Sequence, residues 1–107
     1  DNAIEHYYVV SSSQLIATLR VKREHHKAIY QRMAVAAEFR GKGVGAFLMQ
    51  ALEAHLLQQS TITQLALDAQ EHAIAFYRKC GFTEQGKPFI DAGIRHIRMV
   101  KEQPWNQ

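Results

Sequence analysis

A single cysteine, Cys80, stands among the 107 residues, so no internal disulfide can staple the chain. A reducing compartment is the economical expectation, with the cytoplasm as its first candidate. Proline is nearly as scarce: Pro88 and Pro104 are the only two, and both fall outside the periodic segments. No linker, internal repeat or low-complexity tract interrupts the sequence. No apolar run is long enough to span a bilayer, because the best of them, VGAFLMQALEAHLL, is broken by Gln50, Glu53 and His55. Asp1 and Asn2 open the chain without a basic region or an apolar stretch behind them, so no secretory signal is expected. The missing initiator Met points to a trimmed or partial product. His25 and His26 are adjacent but no Cys/His cluster has zinc spacing, so no metal is expected.

Hydrophobic residues make up 47% and charged residues 21%, the composition of one globular domain over residues 1–107 rather than of a disordered chain. The formal net charge of +3 favours an anionic ligand without deciding between nucleic acid, a phosphorylated cofactor and simple solubility.

Periodicity predicts eight elements. His6 to Val10 and Leu15 to Val21 read as strands, with a polar hairpin tip over Lys22 to Lys27 before a third strand from Ala28 to Val35. A loop follows to Gly43. Val44 to Gln59 is the clearest helix: Val44, Leu48, Leu52 and Leu56 step by four, with Phe47 and Ala51 filling the stripe. Ser60 to Thr63 breaks it, and Ile62 to Leu67 reads as a strand. His72 to Cys80 reads as a second helix, closed by Gly81 at the position after the C-cap. Phe82 to Gln85 is a short strand, Gly86 to Gly93 a loop, Ile94 to Lys101 a last strand, and a tail follows with Trp105. The order β-β-β-α-β-α-β-β predicts an α/β fold, its sheet antiparallel at the front and parallel in the middle, flanked by helices.

The most informative segment is RGKGVG, Arg40 to Gly45, between a strand and an amphipathic helix. Glycines there let backbone N–H groups approach a ligand closely. The helix start adds unpaired donors and a positive dipole end, and Arg40 and Lys42 add full charges, which together suit a phosphate. The plainer alternative is a helix entry loop with glycines for geometry only. A Walker A loop fails, since Gly43 and not Ser or Thr follows Lys42. Gly41, Gly43 and Ala46 fit a dinucleotide fingerprint with Asp68 beyond. Yet four residues, Ala36 to Phe39, part the strand from the first glycine, and only one further crossover follows.

Arg40-x-x-Gly43-x-Gly45, led in by MAVAAEF, resembles the acetyl-CoA pyrophosphate loop of the GNAT N-acetyltransferase superfamily. A second block, LALDAQEHAIAFYRKCGF from Leu65 to Phe82, is similar to that superfamily's later βα segment. With GIRHIRM at Gly93 to Met99, it looks most like the ElaA-like branch. The resemblance covers about Leu15 to Lys101 and departs at the front, where the superfamily's first strand and helices have no counterpart. A partner chain or a further N-terminal segment would then complete the acceptor pocket.

The resemblance implies acetyl transfer from acetyl-CoA to a primary amine. It assigns the pyrophosphate to the backbone of Arg40, Gly41, Lys42, Gly43, Val44 and Gly45. It assigns the pantetheine arm to the strand ending at Val35, with backbone groups near Met33 and Val35 holding it and polarising the thioester carbonyl. It puts Tyr77 where the family has its general acid, whereas helix spacing alone reads it as a core aromatic. His72 stands where relatives carry a cofactor-contacting Asn, with a helix N-terminal role as the alternative. For a general base Tyr30, Gln31 and Arg32 offer no carboxylate. His96 is the best candidate, because imidazole titrates near the working pH, with a half-buried structural histidine as the alternative. Glu24, His25 and His26 read as solvated, His55 and Cys80 as packing residues, and Asp91 as a loop carboxylate able to meet a cationic acceptor.

Two other functions stay open at this level: a GNAT-like module that holds CoA without turnover, and a small basic nucleic-acid binder. The second ranks last because the basic residues are dispersed. Neither a membrane nor a nucleic acid is expected as partner. Self-association is expected, from an unprotected early strand and a C-terminal strand free to pair.

Overall fold

A computed structural model describes residues 2–59 and 61–102. Six strands form one sheet in the order β1-β2-β3-β4-β6-β5. They are β1 (Asn2–Ser11), β2 (Gln14–Glu24), β3 (Lys27–Val35), β4 (Gln64–Gln70), β5 (Thr83–Asp91) and β6 (Ile94–Glu102), with helices α1 (Val44–Leu57) and α2 (Ile74–Lys79). Only β3 and β4 run parallel; every other neighbouring pair is antiparallel. The expected order of strands and helices is therefore the observed one, with one-turn 3-10 helices added at Ala37–Phe39 and Glu71–Ala73.

Alternation sorts each strand onto two faces. Leu19 and Val21 of β2, Leu65 and Leu67 of β4 and Met99 of β6 are buried against Leu48, Met49, Leu52 and Leu56 of α1, with Ile74 and Tyr77 of α2 packed alongside. Both helices thus cover the same face. The other face holds only a small cluster, Ile29, Ala66 and Val100. No helix among the described residues covers it, and Ile4 and Tyr8 are 53% and 60% exposed.

Several expected boundaries move, each for a local reason. β1 pairs with β2 along its whole length, which extends it beyond His6 to Val10. Lys22, Arg23 and Glu24 are strand residues with polar side chains. The hairpin tip is only His25 and His26, with His25 at φ 57. The stripe of α1 includes Met49, while Phe47 is 60% exposed and Ala51 is exposed. The helix stops at Leu57 because Gln58 N–H turns back to the His55 and Leu56 carbonyls. β4 begins at Gln64, two residues after the expected start, and runs on to Gln70. α2 starts at Ile74, leaving His72 in the preceding 3-10 turn.

Gly86 to Asp91, read as a loop, is strand. β5 is an edge strand, where the missing N–H of Pro88 costs no ladder bond, and the register shift between Gln85 and Phe89 absorbs Gly86 and Pro88. The last strand is not free to pair, since β6 lies between β4 and β5; the open edges are β1 and β5. Trp105 and Pro104 lie outside the described residues.

Tyr30 marks the tightest part of this packing. Its ring is 5% exposed and 6.0 Å from Phe82, and its hydroxyl is buried without a protein hydrogen-bond partner. Burial, then the nearby Glu53 carboxylate, pushes its pKa well above the ordinary phenol value. A raised folded-state pKa gives stability that is whole below the unfolded value and is lost as pH climbs through the folded one. Tyr30→Phe should therefore leave the melting temperature at neutral pH unchanged or higher, since an unpaired buried hydroxyl costs about 1–3 kcal/mol. It should also flatten the loss of stability above about pH 10, with the remaining slope carried by Tyr77, Tyr7 and Cys80. Thermal melts across alkaline pH check both, and a clear fall at neutral pH would show that the hydroxyl is satisfied.

Candidate functional site

β3 and β4 pair only from Lys27↔Gln64 to Tyr30↔Leu67. Beyond that point the two strands have no register partners in each other, although β3 continues to Val35 and β4 to Gln70. Their C-terminal ends therefore frame a gap in the middle of the sheet. A β-bulge in β3 sits beside it: Ala34 pairs with Thr18 and Gln31 with Arg20, leaving Arg32 and Met33 opposite Leu19 alone. Arg32 takes φ 52, in the left-handed region that a non-glycine residue adopts at a cost. A cleft of about 700 Å³ passes through the gap. Tyr30, Met33, Leu67 and Tyr77 line it from the helical side, and Arg20, Gln31, Asp68, His96 and Arg98 line it from the open face.

The glycine loop stands at the same end. Gly41 and Gly43 hold φ 75 and 79, and Gly43 is the N-cap of α1. With no side-chain cap there, the first-turn N–H groups of α1 remain available as donors. Val44, the first helical residue, packs its side chain on the core and presents only backbone to a ligand. Gly45 sits beside Met33 and Phe76, where a Cβ would stand 3.6 Å from each, an ordinary packing distance. Lys42 is exposed, its Nζ 5.7 Å from the Phe39 ring centre. Arg40 folds back, its Nε donating to the Val35 carbonyl at 3.0 Å. That bond ties the loop to the end of β3.

Tyr77 is half-buried against Phe76 and Phe82, with ring centres at 5.1 and 6.4 Å. Burial, then the Cys80 thiol, raises its pKa, so it holds its proton. His96 stacks on Phe89 at 5.7 Å, and its Nδ1 lies 2.8 Å from the Ile94 carbonyl. A carbonyl oxygen only accepts, so Nδ1 carries the proton in this contact, and Nε2 is the nitrogen left to face the cleft. His72 lines the cleft from the 3-10 turn ahead of α2.

Met33, His72, Tyr77 and His96 thus share one cleft, with the Arg40–Gly45 loop tied to β3 beside it. His26 caps the Thr61 carbonyl at 2.9 Å and His55 meets the Tyr7 ring at 5.9 Å, both apart from the cleft. The sequence reading missed the polar wall opposite Tyr77: Arg20, bonded to Gln31, and the Asp68–Arg98 pair at 2.6 Å. The signal was there, as Arg20 and Lys22 alternate with Leu19 and Val21. Among the described residues no group of three or more His, Cys, Asp or Glu gathers to hold a metal, and no helix is long and apolar enough to cross a membrane.

Residues 1–103 match the acetyltransferase (GNAT) domain family. The chain is 31% identical over 103 residues to the uncharacterized N-acetyltransferase YjcF of Bacillus subtilis, covering 95% of this chain and 73% of that protein. It is 29% identical over 98 residues to the uncharacterized protein YyaT of the same organism, covering 92% of this chain and 66% of that protein. The chain therefore spans about two thirds of the length of such relatives. Among solved structures, an acyl-CoA N-acyltransferase from Pseudomonas aeruginosa superposes with a TM-score of 0.82 at 26% identity, over 92% of this chain and 68% of that one. Escherichia coli ElaA gives 0.82 at 25%, with the same two coverages.

If Arg40 is the latch between the loop and β3, Arg40→Ala should speed amide exchange at residues 41–45 roughly fivefold while exchange in α1 beyond its first turn stays unchanged. Equal exchange in both proteins would show that the loop is held by its own backbone.

Proposed function

The chain belongs to the GNAT acetyltransferase family, and from that premise we propose that it moves an acetyl group from acetyl-CoA to a primary amine by direct attack in a ternary complex. The observation that carries the reading is the gap between β3 and β4, which opens from the glycine loop and Tyr77 on one side to the polar wall on the other. Donor and acceptor can thus approach the same point from opposite faces of the sheet.

The first-turn N–H groups of α1, with Lys42 beside them, bind the pyrophosphate. The pantetheine arm lies along the unpaired edge of β3, and backbone groups at the bulge around Met33 polarise the thioester carbonyl. The amine nitrogen bonds to the carbonyl carbon, and the C–S bond breaks. His96 Nε2 takes the proton that the attacking nitrogen sheds. Tyr77 supplies a proton to the departing thiolate, and the proton taken up by His96 is returned to the Tyr77 oxygen, so the transfer releases no net proton. The raised pKa of Tyr77 keeps it in the donating form across the working range.

The single free thiol, Cys80, supports a reducing compartment. The long exposed edge of β1 supports self-association; sedimentation at micromolar concentration should give a species larger than the 107-residue monomer. A second reading, a module that holds CoA without turnover, is favoured by the uncovered face of the sheet. The spermidine N-acetyltransferase SpeG and the ribosomal-protein-S18-alanine N-acetyltransferase share the fold at 24% and 20% identity, so their acceptors do not transfer to this chain.

Calorimetry with acetyl-CoA tests the binding half. Gly43 at φ 79 would be strained by any side chain, so Lys42→Ala is the cleaner probe and should weaken binding about tenfold. Unchanged affinity would remove the loop from the site. Tyr77→Phe tests the chemical half. Turnover with a panel of amines should fall roughly 10²-fold with acetyl-CoA affinity little changed, and an alkaline limb above about pH 10 should disappear with the hydroxyl. Loss of affinity, turnover and melting temperature together would make Tyr77 a packing residue only.

A further inference from the structure

Arg20 lies on the face of the sheet opposite the helices, half-buried in the wall of the cleft. Its Nε donates to Gln31 Oε1 at 3.0 Å, across the register pair that joins β2 to β3. That bond fixes the plane of the guanidinium. The two Nη nitrogens have no partner among the described residues. Such a fork matches the two oxygens of a carboxylate in one plane.

Of the other charges lining the cleft, Arg32 and Asp91 have no partner among the described residues, and the Asp68 and Glu24 carboxylates are matched. Asp68 takes both Arg98 Nε at 2.6 Å and Nη2 at 3.4 Å. Glu24 takes Lys22 at 3.4 Å. Asp91 is the carboxylate of the cleft without a partner among the described residues, and it stands at the solvent-exposed end of β5, whereas an anionic acceptor meets at Arg20 a cation whose plane Gln31 already fixes. Arg20 also adjoins the bulge, where β3 turns Arg32 and Met33 toward the cleft. A group held by Arg20 would sit close to the acyl carbon of a thioester lying along β3.

We infer that the acceptor amine carries a carboxylate, and that the Arg20 guanidinium binds it through its Nη edge with Gln31 as the positioning residue. The inference rests on the acyl-transfer reading for its geometry, but it can be measured without turnover. The products of such a reaction are N-acetylated amino acids. N-acetylglycine and 5-acetamidopentanoate, a short and a long probe, are titrated into the 107-residue chain with and without CoA, each beside its primary amide. N1-acetylspermidine serves as the cationic comparison.

At least one of the two acids should bind tenfold or more tighter than its amide, about 1.4 kcal/mol. The ratio should fall to near one in Arg20→Gln. In Arg20→Lys, which keeps the charge and loses the fork, it should fall only in part. Melting temperature and CoA affinity of the variants establish that they are folded, and if Arg20→Gln is not, the lysine variant carries the comparison. Amides that bind as well as acids, an acid preference that survives loss of Arg20, tighter binding of N1-acetylspermidine, or no measurable binding of either acid would each overturn the inference. An intact acid preference in a chain that fails to bind CoA would instead support the carboxylate site and contradict the acyl-transfer reading.

Discussion

Everything the cleft can do depends on where β3 and β4 stop pairing. A parallel pair joined by a crossover helix ordinarily zips along its full length, because each unpaired backbone group must find another partner. Here the pairing ends at Tyr30 and Leu67, while β2 holds β3 and β6 holds β4 from outside. Each strand is thus fixed by its outer neighbour and open on its inner edge. The bulge in β3 swings Arg32 and Met33 out of the ladder beside that gap. Backbone donors and acceptors left unpaired in the middle of a sheet are what an extended ligand needs in order to add itself as a strand.

The two walls of the gap differ because alternation gives each strand two chemistries. Odd positions of β2, β4 and β6 supply the core beneath the helices, while the intervening positions supply Arg20, Asp68 and Arg98 to the other face. The helical side is apolar and keeps Tyr77 protonated by burial. The open side is polar and its charges are mostly paired at the surface, where such pairs add little stability. Stability lies in the first wall. The second is free to be chosen for what it recognises.

Much of this was legible in the sequence. The four-residue steps of α1 survive because burial of Leu48, Leu52 and Leu56 enforces the helical period, and the glycine loop is legible because few folds place such glycines before a helix. The errors share a cause. Polar Lys22 to Glu24 and the Gly86–Pro88 stretch were read as loop, yet strands with one open face or one open edge tolerate such residues. The gap itself has no local signature: Gln31 and Asp68 are ordinary strand residues until register decides that nothing pairs across them. The Arg20–Gln31 contact joins residues on two strands whose register is shifted by a bulge, and no spacing rule predicts that shift.

The central claim is that the cofactor enters the sheet where its pairing ends. Amide chemical-shift mapping during a CoA titration tests it most directly. The account predicts the largest shifts at residues 31–35 and 40–46, smaller ones at 68–70, and near silence along β1 and the β5 edge. Binding whose shifts gather on the uncovered face or along β1, with residues 31–35 unmoved, would contradict it.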